Sequence, residues 1–115
     1  MRTLDELRAD IDRVDEVLVR LLNERARVAC EIGRLKKEQG VEIYQPEREK
    51  QVLDHVRNVA VVGPLGADAI ARLFERIIDE ARRLERRVIH GEISGEAAGG
   101  GAPAVLKKDG DRQSS

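Results

Sequence analysis

The chain has 115 residues, a length that builds one small domain. It is 41% hydrophobic but only 2% aromatic, so its core has to come from Leu, Ile, Val and Ala, as it does in packed helices. Charged residues make up 37% with a formal net charge of -1, a balance that argues against a nucleic-acid binder and against a polybasic membrane anchor.

Thr3 and Glu6 have capping-box spacing, and Asp5 and Glu6 suit a first helical turn. Apolar residues then recur at three- and four-residue steps: Leu4, Leu7, Ile11, Val14, Leu18, Leu21, Val28, Ile32 and Leu35. This pattern predicts one helix from residue 4 to Gln39, stopped by Gly40, roughly 54 Å long at 1.5 Å per residue. Arg25 stands where the series calls for another aliphatic, and a cation in such a seam costs desolvation unless an anion meets it. Residues 40–45 form a connector, and Pro46 fits a first helical position. A second helix is predicted over 46–60, with Val52, Leu53, Val56 and either Val59 or Ala60 inward, and Gly63-Pro64 breaks it. A third is predicted over about 66–90, with Ile70, Leu73, Phe74, Ile77, Ala81, Leu84 and Val88 inward.

From Gly91 the composition turns to Gly, Ala and Ser without helical period, so 91–115 is expected to be a disordered tail and 1–90 the helical domain. The seam of the first helix is longer than the other two can cover. The expected fold is therefore all-α: a three-helix protomer with one very long N-terminal helix, intertwined with a second copy as a homodimer. The N-terminal residues show no apolar signal region and no run approaches a membrane span, so the expected location is cytoplasmic.

Several polar residues do not belong to a plain bundle. Lys36 lies eleven positions after Arg25, three turns plus roughly 20°, so both point the same way about 16 Å apart along the axis and could clasp one small anion. The plainer alternative is that Arg25 snorkels or pairs with an interhelical glutamate, while Lys36 and Lys37 favour the helix C-terminus. Arg8, about 100° around the helix from Arg25, reaches such a pocket only from the second copy of an antiparallel dimer; otherwise it is a solvated arginine. Arg48 opposes the dipole of the second helix unless Glu47 or Glu49 compensates it. Glu85 sits at the margin of the inward face, where Arg82, Arg86 or Arg87 could pair with it.

Nothing in 1–90 supplies a serine, Cys30 is a lone cysteine, and His55 and His90 are isolated, so no nucleophile set or metal cluster is expected, and no glycine-rich phosphate loop is present. Cations without a nucleophile suit a reaction that binds a small dianion and stabilises charge as it develops, with no cofactor.

Leu7-Arg8, Ile11-Asp12-Arg13-Val14-Asp15, Leu21-Leu22-Asn23-Glu24-Arg25, Ile32-Gly33-Arg34-Leu35-Lys36, Tyr44-Gln45-Pro46-Glu47-Arg48-Glu49, Leu73-Phe74 and Ile77-Ile78 together resemble the all-helical (type II) chorismate mutases over about residues 3–90. The resemblance implies an intertwined dimer with two active sites that converts chorismate to prephenate on the route to phenylalanine and tyrosine. It further implies that Arg25 and Arg48 bind substrate carboxylates and that Arg8 arrives from the other protomer. Lys36 would bind the ether oxygen and a nearby carboxylate, and Glu49 would accept a hydrogen bond from the substrate hydroxyl, with backbone around Gln45 assisting. Ala81 falls where some members carry a small hydroxyl residue, so that contact is missing or made by backbone. Glu85 takes the place of a glutamine or glutamate facing the ether oxygen; as a glutamate it donates only when protonated. Two other readings share these residues: an isochorismate pyruvate lyase, and a non-catalytic helical dimerisation or regulatory module serving a shikimate-pathway enzyme.

Overall fold

The structure, a computed structural model, describes residues 1–60 and 62–93; the tail expected beyond Ile93 lies outside them. The described residues form three helices and no strand: α1 (Leu4–Gln39), α2 (Pro46–Ala60) and α3 (Ala67–Ile89). These are the predicted elements, with α3 one residue shorter at each end. The chain divides into two compact units, Met1–Val28 and a second beginning at Ala29, with α1 contributing to both.

In the first unit the capping box forms as expected. The Thr3 backbone N–H donates to Glu6 Oε1 at 2.8 Å, and the Glu6 N–H donates to Thr3 Oγ1 at 3.1 Å. Asp10 takes the guanidinium groups of both Arg2 and Arg13. The apolar residues Leu4, Leu7, Ile11, Val14, Leu18 and Leu21 are all exposed in the single chain.

The second unit holds the buried core. Ala29, Cys30 and Gly33 of α1, Val56 and Ala60 of α2, and Ala71, Ile78, Glu85 and Val88 of α3 are buried. Ala60, not Val59, is thus the inward residue at the end of α2. On α3 the buried stripe runs through Ala71, Ile78 and Glu85 at seven-residue steps, and Leu73 is exposed. The seven-residue step presents small or stem-like side chains where helices come close, a feature that aliphatic periodicity alone does not reveal.

The ends of α1 and α3 use one device. Gly40 (φ 67°) and Gly91 (φ 75°) adopt the left-handed conformation. The following N–H then reaches back five residues, Val41 to the Lys36 carbonyl at 3.0 Å and Glu92 to the Arg87 carbonyl at 2.8 Å. α2 starts at Pro46, with the Gln45 carbonyl accepting from the Glu49 N–H at 3.1 Å. No helix among the described residues is long and apolar enough to cross a membrane.

Candidate active site

Lys36 is one turn from the end of α1, and the Gly40 turn folds the connector back over it. Its Nζ donates to the Ile43 carbonyl at 2.9 Å and to Glu85 Oε1 at 2.8 Å. The two side chains are only 13% and 9% exposed, so this is an ion pair largely removed from water, joining α1 to α3 across 49 residues of sequence. An ammonium has three N–H donors, and these contacts use two; the third is left for an anionic or ether oxygen. Glu85 therefore pairs with Lys36 rather than with an arginine of its own helix.

Gly33 makes this approach possible. A Cβ built on it would lie 3.1 Å from the Glu85 Cα and 3.4 Å from the Glu85 Cβ, so the two helices touch at the backbone one turn before Lys36. Gly33→Ala gains about 1 kcal/mol of helix propensity but meets an overpacking cost of about 1–3 kcal/mol, because the facing atom is helix backbone. The expected result is a net loss of about 1 kcal/mol in urea unfolding, and a larger loss for Gly33→Val.

A second ion pair stands beside the first. Arg82 Nε lies 3.3 Å from Glu49 Oε2, and its guanidinium carbon lies 5.3 Å from the centroid of the Tyr44 ring. Arg82 Nη2 is also 3.7 Å from Asp79 Oδ1. Glu49 is thus tied to α3, and it does not compensate Arg48, whose Nη1 donates to Gln51 Oε1 at 3.4 Å. Arg48 and Gln45 line an open hollow of about 450 Å³ with Tyr44, Pro46, Glu47 and Gln51; Lys36 and Glu85 lie outside its lining. Ala81 is half-buried, one residue before Arg82. Arg8 and Arg25 belong to the first unit, where Arg8 is exposed and Arg25 partly shielded. Burial pushes the Cys30 thiol up, against the opposing pull of Arg34 and Arg87, so the lone cysteine is a poor nucleophile.

The family model for chorismate mutase type II matches residues 7–86, which include every one of these site positions. The chain belongs to the type II chorismate mutase family. A solved chorismate mutase (form II) from Thermus thermophilus superposes with a TM-score of 0.70 at 38% identity, covering 73% of this chain and 94% of that one. The chorismate mutase of Methanocaldococcus jannaschii is 27% identical over 75% of this chain and 87% of its own length. A bifunctional chorismate mutase/prephenate dehydratase of Aquifex aeolicus is 35% identical over 76% of this chain. The chain spans about a quarter of the length of such bifunctional relatives.

Three contributors to this site do not stand out as such in the sequence. The Ile43 carbonyl carries no side-chain signal. Gly33 had one, a lone glycine inside an otherwise unbroken helical pattern. Arg82 is named from the sequence as a possible partner of Glu85, whereas the structure pairs it with Glu49.

Proposed function

We infer that the chain catalyses the rearrangement of chorismate to prephenate, with Lys36 as the electrostatic centre. The observation that carries this reading is the shielded Lys36–Glu85 pair, a cation held in place with one donor to spare. The reaction is unimolecular: the ether C–O bond breaks while a C–C bond forms, and negative charge accumulates on the ether oxygen. A fixed ammonium at that oxygen stabilises the transition state more than the ground state. Arginines at 25 and 48, with Arg8 of the partner subunit, grip the two carboxylates and hold the substrate compact, which supplies orientation. Glu49 accepts a hydrogen bond from the substrate hydroxyl, and the backbone at Gln45 assists. Ala81 has no hydroxyl to offer, so no side-chain contact is expected there. No covalent step and no cofactor enter this chemistry.

The catalytic form is a homodimer of residues 1–90, intertwined through α1. Leu4, Leu7, Ile11, Val14, Leu18, Leu21, Val28, Ile32 and Leu35 are all exposed in the single chain, and burying each fully is worth about 1.5–3 kcal/mol. A seam of that extent is too costly to leave in water.

Glu85 is the carboxylate of the Lys36 ion pair in the free protein; with the dianion bound it takes a proton from solvent and acts as the hydrogen-bond donor beside Lys36. A glutamic acid donates only when protonated, so with Glu85 as the donor turnover is expected to fall on the alkaline side of the kcat–pH profile. A glutamine donates at any pH, so Glu85→Gln flattens the kcat–pH profile. An unchanged profile in that variant removes Glu85 from proton-dependent catalysis.

Product analysis tests the reading as a whole. Prephenate is expected to form from chorismate, with no pyruvate released from isochorismate. Pyruvate release without prephenate would make the chain a lyase, and a folded dimer inert toward both would make it a binding module. The relatives joined to prephenate dehydratase support a companion enzyme of the same pathway as a further partner.

A further inference from the structure

Arg82 is a charged side chain beside the Lys36–Glu85 pair to which the proposed chemistry gives no task, and its surroundings are specific. It lies three residues before Glu85, so a single turn of α3 carries both the carboxylate that holds Lys36 and the cation that faces Glu49. The Arg82 and Glu49 side chains are 26% and 23% exposed, which makes theirs a partly desolvated pair. Arg82 Nε is fully shielded from solvent and has no hydrogen-bond partner: it stands 3.3 Å from Glu49 Oε2 but out of line with it. The Tyr44 ring lies over the guanidinium, and Asp79 Oδ1 is 3.7 Å from Nη2.

We propose that Arg82 is the positioning residue for Glu49, locking its carboxylate in the rotamer that receives the substrate hydroxyl. The inference rests on the reading of Glu49 as that acceptor. A carboxylate 3.3 Å from a buried N–H, but misaligned, needs only a turn about its last torsion to make a charge-assisted bond. Ordering of Glu49 by a substrate hydroxyl supplies that turn, so the Arg82 contact tightens in the loaded site. Arg82 also offsets the Glu49 charge beside a doubly anionic ligand, which would otherwise be repelled. Tyr44 and Asp79 hold the guanidinium plane in place, so little side-chain entropy remains to be lost on binding.

A double-mutant cycle on the full chain reads this coupling. Arg82→Met keeps the stem and removes the charge; KM for chorismate is expected to rise about tenfold with kcat within about threefold of the parent. In a Glu49→Gln background the same change is expected to move KM less than about twofold, because the residue it serves is already altered. Arg82→Lys keeps the charge but not the plane, and gives an intermediate KM, about threefold raised, that also vanishes in the Glu49→Gln background. Thermal melts and circular dichroism establish that each variant is folded, and Arg82→Lys carries the cycle if Arg82→Met is not. A large Glu49→Gln effect combined with a silent Arg82 variant, or with one whose effect is undiminished in that background, overturns the role of Arg82. A silent Glu49→Gln removes the acceptor itself, and with it both the Glu49 part of the proposed mechanism and this inference.

Discussion

Lys36→Met is expected to lower kcat about 10²- to 10³-fold while also destabilising the protein. The kinetic loss has the size expected when a fixed donor at a developing oxyanion is removed from a shielded site. The loss in stability has a separate origin. Glu85 is 9% exposed and its salt-bridging partner is Lys36 Nζ, 2.8 Å away. Removing that cation leaves a carboxylate in a poor solvent, a change that costs about 3–5 kcal/mol when the group is fully buried. Lys36 also donates to the Ile43 carbonyl, so the connector that leads to Pro46 loosens with it. Stopped-flow or spectrophotometric rates together with urea unfolding measure both effects on one preparation. A stable variant with near-parental turnover would dismiss Lys36 from the chemistry.

The second large effect is a recovery of activity. Arg8→Ala and Arg25→Ala are each expected to be nearly inactive, because in the proposed site each removes one grip on a substrate carboxylate. If every site takes Arg25 from one protomer and Arg8 from the other, a dimer containing one of each variant has one site with both arginines and one with neither. Random exchange of equal amounts makes half of all dimers mixed, so about one quarter of the parental activity returns. Activity that stays at the level of the separate variants after confirmed subunit exchange contradicts the shared site.

Helices announce themselves in this sequence because their signals are local. The capping box at Thr3 and Glu6, the seam at three- and four-residue steps, Gly40 and Pro46 each act within a few residues, and α1 begins and ends, and α2 begins, where those signals stand. The face of α3 was less legible. Its buried stripe is Ala71, Ile78 and Glu85, and two of those three are residues that a hydrophobic pattern passes over. Glu85 is inward because Gly33 admits it and Lys36 neutralises it, conditions set 49 or more positions away. The same holds for Glu49, whose contact with Arg82 depends on how α2 lies on α3. Composition bears on the proposed chemistry more directly than periodicity does. The absence of serine from the first 90 residues and the burial of the single cysteine agree with the proposed catalysis by charge and shape.

The double variant Lys36→Met/Glu85→Gln separates fold from chemistry at the one place where both depend on the same pair. It replaces the ion pair by a thioether stem and a neutral amide, so no uncompensated charge is left between α1 and α3. Its urea midpoint is expected to return most of the way to that of the parent, while its rate of prephenate formation stays at least about a hundredfold lower. A double variant that is both stable and within about threefold of the parental rate would contradict the claim that a fixed ammonium at position 36 drives the reaction.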